Sequence, residues 1–315
     1  MIDHFSILWQ FKIDFNLINK LLIVDGDNYF YRLYSIHASN LKKELKINEI
    51  KEEHIPLLIE KTLPVFNYFK NLIKYNHYDI ILFTFDKKGS KQSNFELLKK
   101  INKKYNLKDL DYKWQRIKNN NFIQYKRHIQ NILFFKGYPI VTSNNYEADD
   151  VIATLVKEIT MEFNWLIDID ILSNDKDIYQ LLDQNVKIIN WIWKKDLENK
   201  IDFSKFKIQL YNKYWLKLNK PEDIIYIKAI VGDKSDNIPW IKGVAEKTLA
   251  KELNQHNNNV FETDIYKNNK KLIDAFIPLI RLEKNIFVDD LEIIEDNNPN
   301  EWKVNSYIKK IVNKT

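Results

Sequence analysis

Carboxylates dominate the positions at which this 315-residue chain could do chemistry. Three apolar runs lead into aspartate: Asp25, with Asp27, in "LLIVDGDN" (21–28), Asp86 in "DIILFTFDKK" (79–88), and Asp175 with Asp177 in "IDIDILSNDKD" (167–177). Glu147, Asp149 and Asp150 crowd into "NNYEADDVIATL" (144–155), just ahead of a run patterned like a buried helix, and Asp233 and Asp236 lie three apart in "VGDKSDNIP". Each group has an ordinary explanation: Asp is a common turn residue, acids at a helix start suit the macrodipole, and "GDKSDN" could be a helix stop. Gathered in one crevice, so many carboxylates would repel, raise one another's pKa and destabilise the fold unless something positive sat among them. Oxygen-only ligation with no histidine nearby points to a hard divalent cation, Mg²⁺ or Mn²⁺. The number of acids suits two ions about 4 Å apart, the arrangement used for in-line displacement at phosphorus.

Those acids meet only if the chain brings strand ends together. The runs at 21–28, 79–88, 167–177 and 186–193 read as buried strands, with helical patterns at 57–75 and 147–162 and a shorter strand at 138–142. This order predicts an α/β fold with a mainly parallel central sheet. Loops at the carboxyl ends of parallel strands converge on one crevice, so the strand-end aspartates and the helix start near Ala148 should share it. After about residue 205 helices with short connections take over, as in "PEDIIYIKAIVG" and "VAEKTLAKEL", with Pro221 suited to a first helical turn. The expected organisation is an N-terminal extension (1–20), an α/β core (21–205), a smaller helical subdomain (206–295) and a C-terminal tail (296–315) after the turn "NNPN".

Composition narrows the class. Hydrophobic residues make up 45% of the chain and aromatics 14%, enough to fill the core of one large domain or two modest ones. No apolar run is long enough to span a membrane, and the N-terminus carries Asp3 and Asp14 where a secretory signal would be basic, so the expected location is the cytoplasm, with no membrane partner. The absence of cysteine excludes a disulfide framework, thiolate catalysis and cysteine-ligated zinc. Net charge is +6, and residues 87–127 alone hold thirteen Lys or Arg against three acids (Glu96, Asp109 and Asp111). Such a segment can be a solvated helical surface. Its interleaved aromatics, Phe95, Tyr105, Tyr112, Trp114, Phe122 and Tyr125, also suit a surface that attracts phosphates and stacks on bases. A basic segment directly after Asp86 in an acidic metal-binding domain implies a long polyanion, nucleic acid, as the substrate.

At these residues the chain resembles the flap endonuclease and 5′ to 3′ exonuclease family, which includes bacteriophage 5′ nucleases and the N-terminal domain of bacterial DNA polymerase I. The matching pieces are "VDGDN" (24–28), "FTFDKKG" (83–89), "YEADDVIATL" (146–155), "LSNDKDIYQLL" (172–182), "AIVGDKSDNIP" (229–239) and "IKGVAEKTLA" (241–250), in the family's order over about 20–295. The resemblance implies a PIN-like nuclease core, a helical arch at 87–127 and a helix-three-turn-helix module at 224–253. It implies a structure-specific 5′ nuclease of replication or repair that cuts flaps, nicks or RNA primers and leaves a 5′-phosphate and a 3′-hydroxyl. Asp25, Asp86, Glu147 and Asp149 would line a first metal site supported by Asp150. Asp175, Asp177, Asp233 and Asp236 would hold the second directly or through water. In such enzymes the first ion activates the attacking water and the second stabilises the leaving 3′ oxygen.

"YKWQR" matches the family's Tyr-Lys-x-x-Arg pattern, which makes Lys113 and Arg116 the implied catalytic contacts to the scissile phosphate. Arg32, Lys87, Lys88, Lys126, Arg127, Lys234, Lys242 and Lys247 are the implied DNA contacts, and the helix-three-turn-helix loop would bind K⁺. The implied partners are branched or nicked DNA, RNA–DNA duplex and a separately encoded DNA polymerase, with the chain itself a monomer. Two features depart from the family. Trp240 and Ala245 replace glycines in "PWIKGVAEK", where glycine most easily lets backbone approach phosphate. Asp86 also lies 27 residues before Lys113, a longer spacing expected to enlarge the arch. Two other readings share parts of this pattern: a PIN-type ribonuclease, which would have little reason for the arch or the 224–253 module, and a non-catalytic nucleic-acid-binding protein on a nuclease scaffold.

Overall fold

In strand β1 (Lys20–Asp25) every side chain from Leu21 to Val24 is fully buried. Leu21 and Ile23 face one core and Leu22 and Val24 the other, the period of two that a pleated strand imposes. A strand buried on both faces needs helices on both, and its sequence then runs apolar without alternation. A computed structural model of the chain describes residues 7–75, 77–87, 92–107, 119–191, 198–234, 236–296 and 298–312. Its central sheet has six strands. The order is β5 (Val186–Ile189), β4 (Asp168–Leu172), β1, β2 (Ile80–Asp86), β3 (Ile140–Ser143) and β6 (Leu291–Ile294). The first five pair in parallel and β6 runs antiparallel beside β3. Register aligns the carboxyl ends: Asp25 stands opposite Thr84, Val24 opposite Leu172 and Asp86 opposite Ser143.

Ten helices are found among the described residues: α1 (Gly26–Leu45), α2 (Ile55–Lys74), α3 (Gln92–Tyr105), α4 (Asn120–Phe135), α5 (Ala148–Glu162), α6 (Phe203–Tyr214), α7 (Asp223–Val231), α8 (Glu246–Gln255), α9 (Asp264–Ile280) and α10 (Glu301–Val312). Helices α1, α2, α4 and α10 cover the face that bears Leu22 and Val24. Helices α3 and α5 to α9 share the core of the opposite face with Leu21 and Ile23. None of the helices among the described residues is long and apolar enough to cross a membrane.

Four places differ from the sequence-based expectation. Residues 1–20 include Leu8, Phe11, Phe15 and Ile18, all buried in the core, with Phe15 stacked on Phe163 at 6.1 Å between ring centroids. The stretch around 291–294, expected within the helical part, is an edge strand of the sheet. Only Leu291 of its residues is fully buried, which left too little alternation to read. Residues 301–312, expected as a tail, form α10, held down by buried Val304 and Ile311, seven residues apart on one face. Within the expected arch, α3 is no free surface: Leu98 and Ile101 are buried, and the Tyr105 hydroxyl donates to the Lys271 carbonyl at 2.8 Å, fastening α3 to α9. Its Lys99, Lys100, Lys103 and Lys104 are exposed.

The turn from β1 into α1 allows no side chain. A Cβ on Gly26 would lie 2.4 Å from Phe85 Cε1 and 2.7 Å from the Thr84 carbonyl oxygen, so helix and neighbouring strand approach backbone to backbone. Gly26→Ala is expected to lower stability by about 1–3 kcal/mol, the usual cost of overpacking. An unchanged denaturant midpoint would show that the turn can relax.

Candidate active site

The register that levels the strand ends also levels their carboxylates. Asp25 closes β1 and caps α1, its Oδ1 accepting from the Asn28 amide at 3.1 Å and its Oδ2 from the Ser173 hydroxyl at 2.8 Å. In the first turn of α1, Asp27 accepts from the Asp86 amide at 2.6 Å and from Lys126 Nζ at 2.9 Å. Lys126 also donates to the Asp86 carbonyl at 3.0 Å. Asp86 Oδ1 accepts from the Ala148 amide at 2.8 Å, so the end of β2 caps the first turn of α5. That contact sets Glu147, Asp149 and Asp150 at the same edge. Asp150 has each oxygen on a different backbone amide, that of Glu147 at 3.3 Å and that of Glu283 at 2.8 Å.

A small cleft is lined by Glu147, Asp149, Asp150, Asp177 and Asp236, together with Asn94 of α3 and the stretch 279–282, which includes Arg281. Beyond β4 the chain turns sharply: the Asp175 amide donates to Ser173 Oγ at 3.0 Å and the Asp177 amide to Asp175 Oδ1 at 3.0 Å. After α7, Gly232 adopts φ +81°, and Asp233 and Ile238 exchange backbone hydrogen bonds of 2.9 and 2.8 Å, which returns the loop on itself. Asp177, Asp233 and Asp236 thereby each present a carboxylate oxygen within 4.8 Å of the others. This donor set is all oxygen, the chemistry a hard divalent cation requires.

Electrostatics show the cost of this gathering. Burial pushes the Asp25 carboxyl up to about 7 against its hydrogen bonds to Asn28 and Ser173, and the charges of Asp175 and Asp27 add to the effect. Asp27 is pushed up to about 6 by burial and by Asp86, with Lys126 opposing. A second ammonium, Lys228 of α7, is buried in ion pairs with Asp177 and, at 2.6 Å, with Asp233. Burial works against its charge, but the two carboxylates outweigh it and hold Lys228 above the ordinary lysine range.

The expected acids therefore fall into two groups, Asp25 and Asp86 at the strand ends and the convergent Asp177, Asp233 and Asp236. Glu147, Asp149 and Asp150 stand between them, and Asp175 is tied to Asp177. The expected DNA contacts fare differently. Arg127, Lys234, Lys242 and Lys247 are exposed, Lys247 lying 4.8 Å from the Trp215 ring centroid. Lys126 points into the acidic crevice because Asp27 and the Asp86 carbonyl attract it. Lys87 pairs with Glu292 of β6. Arg32 lies 4.4 Å from the Trp191 ring centroid and donates to the Asn190 carbonyl at 2.6 Å, so it fastens α1 to the end of β5. Lys88, Lys113 and Arg116 lie outside the described residues.

Three contributors escaped the sequence reading of the site. Asp27 was visible only as a companion of Asp25. Ser173 offered no pattern. Lys228 did leave a signal, as the one cation in the apolar helix "DIIYIKAIV". At the two replaced glycines, Ala245 takes φ −103°, which any residue adopts, and Trp240 is 62% exposed. The left-handed position of that loop is Gly243, at φ +81° with open space around it.

Fold and site together define a resolvase-like α/β protein with an acidic crevice at the carboxyl edge of its sheet. Residues 20–211 match the family described as 5′-3′ exonuclease, N-terminal resolvase-like domain, and the chain belongs to that family. It is 29% identical over 307 residues to the DNA polymerase I of Caldicellulosiruptor bescii, covering 90% of this chain and 31% of that protein. It is 29% identical over 196 residues to the 5′-3′ exonuclease of Aquifex aeolicus, covering 59% and 62% respectively. With the 5′-3′ exonuclease of Mycoplasmopsis pulmonis it shares 31% over 236 residues, covering 75% and 66%. The chain thus spans less than two thirds of the polymerase and of the Aquifex protein. Among solved structures, zinc-bound T5 5′-exonuclease superposes with a TM-score of 0.56 at 18% identity, covering 94% of this chain and 99% of that one, a likeness of fold.

The raised carboxyls fix a pH dependence. An unfolded aspartate titrates near pH 4, so between about pH 4 and 7 the folded chain holds protons on Asp25 and Asp27 that the unfolded chain has lost, and stability falls as pH rises through that window. In EDTA the thermal midpoint is expected to drop between pH 5 and pH 8. Saturating Mg²⁺ should raise it more at pH 8, because an ion binds the deprotonated carboxylates. A midpoint that climbs over this range in EDTA would contradict burial as the dominant influence on these groups.

Proposed function

We propose that the chain is a divalent-metal-dependent 5′ nuclease that hydrolyses phosphodiester bonds at 5′ flaps, nicks and RNA primers annealed to DNA. The observation that carries this reading is the convergence of Asp177, Asp233 and Asp236 within 4.8 Å, beside a small cleft that Asp177 and Asp236 line together with Glu147, Asp149 and Asp150. The family membership and the T5 flap endonuclease structure described as a complex with DNA and metal ions, which shares the fold at a TM-score of 0.51, support it.

In this reading Asp25, Asp86, Glu147 and Asp149 hold one Mg²⁺ or Mn²⁺, and Asp175, Asp177, Asp233 and Asp236 hold a second. Bound there, such ions supply a water polarised for attack and neutralise charge developing on the scissile phosphate. The chain's own residues do the rest. Ser173 and the Asn28 amide fix the direction of the Asp25 carboxylate. Asp150 acts as a positioning residue, bracing the amide of Glu147. Lys126 offsets the charge of Asp27 without occupying the cleft. Lys113 and Arg116 contact the scissile phosphate, and the exposed Lys234, Lys242 and Lys247 reach duplex phosphates from the helix-three-turn-helix module, whose loop carries K⁺. The partners are branched or nicked DNA and a DNA polymerase, the latter supported by the match to DNA polymerase I, and the chain acts as a monomer.

Cleavage of an end-labelled 5′-flap duplex and of an RNA-primed nick tests the reading, with Mg²⁺ and with EDTA. Cuts near the junction that need the metal and leave 5′-phosphates are expected; tight binding without cutting in Mg²⁺ or Mn²⁺ would overturn the enzyme assignment in favour of a binding protein. Asp149→Asn should bring cleavage to background with binding nearly intact, and turnover retained in Mg²⁺ would remove Asp149 from the ligand set. Lys113→Ala should lower kcat by about 10²–10³-fold with a smaller change in KM, the pattern of a contact made in the transition state.

A further inference from the structure

Helix α7 packs Ile224, Ile225, Ile227, Ala229 and Ile230 into the core, and Lys228 is buried among them with 8% of its surface exposed. Removing an ammonium from water is costly unless it is paired and hydrogen-bonded. Lys228 is paired twice, with Asp177 and Asp233, and these are two of the three carboxylates that converge within 4.8 Å. The ammonium is therefore directed at two of the three carboxylates a divalent ion would need. A hard ion takes such oxygens at about 2.0–2.6 Å, and oxygens engaged by an ammonium are only partly available to it. Two cations sharing Asp177 and Asp233 would also repel each other across a few ångströms of poorly screened interior.

We propose that Lys228 is the resident counter-cation of the Asp177–Asp233–Asp236 cluster, neutralising these carboxylates until a divalent ion arrives and leaving Asp177 and Asp233 when one binds. The inference rests on the reading of that cluster as a metal site. The four-carbon lysine stem provides the reach for such a movement, which a rigid guanidinium fork would not. Two consequences follow for the cluster. Without metal the repulsion within the cluster is reduced, because Lys228 faces two of its three carboxylates. Ion binding there includes the breaking of two ion pairs and is weakened by that step.

The first measurement uses the unaltered chain: pulsed acetylation of amines, read residue by residue by mass spectrometry, in EDTA and in saturating Mn²⁺. Lys228 is expected to be protected in EDTA and to react at least tenfold faster in Mn²⁺, while exposed Lys99 does not change. The second measurement follows free Mn²⁺ by electron paramagnetic resonance during titration of the unaltered chain and of Lys228→Gln. The variant should bind its weaker equivalent of Mn²⁺ at least tenfold more tightly, with a thermal midpoint lowered in EDTA and restored in Mn²⁺. Unchanged labelling of Lys228 in Mn²⁺, or weaker ion binding by Lys228→Gln, would overturn the counter-cation role while leaving the metal site standing. No Mn²⁺ binding by the unaltered chain would remove the metal-site reading itself, and this inference with it. If Lys228→Gln fails to fold, the labelling of the unaltered chain decides.

Discussion

Mutual repulsion among carboxylates at one edge of a sheet is the constraint around which this molecule is arranged. Asp25 and Asp86 stand at the ends of adjacent parallel strands with Asp27 beside them in α1, and burial raises the cost of the charges on Asp25 and Asp27. The fold answers with backbone amides before anything else. Those of Asn28, Asp86, Ala148, Asp177 and Glu283 each donate to one of the acids. Two buried or half-buried ammoniums add positive charge, Lys126 at Asp27 and Lys228 at Asp177. Helix starts at Gly26 and Ala148 put partial positive charge beside the same acids.

This arrangement explains which parts of the molecule could be read from the sequence. The parallel core was legible because a strand buried on both faces writes a continuous apolar run, as from Leu21 to Val24, and because each run led into aspartate. Convergence of those aspartates followed from topology alone. What topology does not specify is the direction of a long side chain. Lys126 belongs to a basic segment and looks like a surface cation, but Asp27 draws it inward. Arg32, expected to reach a phosphate, lies against Trp191 instead. Strand β6 and helix α10 were illegible for a different reason: each contributes only one or two buried side chains, and edges and caps need no more than that to stay in place.

The glycine replacements near residue 240 show why composition must be weighed against backbone geometry. Ala245 stands in an extended conformation that has no need of glycine, whereas the positive-φ positions nearby are glycines, Gly232 and Gly243. At Gly232 a Cβ would lie 2.8 Å from the Trp240 amide nitrogen, so the turn that returns Asp233 and Asp236 to the crevice depends on its absence. Trp240 is a different matter, since its indole stands largely in solvent beside exposed Lys242 and changes the surface of the loop while the path of the chain is retained.

Asp150 joins two parts of the chain that are remote in sequence. One oxygen holds the amide that precedes α5 and the other holds the amide of Glu283, just beyond α9. The carboxylate therefore works as a crossbar of fixed length between the edge of the parallel sheet and the far end of the helical layer. Glu147 and Asp149, at the start of α5, are thereby held in register with the chain that leaves α9. A single side chain thus acts as the pin on which the start of α5 and the exit from α9 keep their alignment.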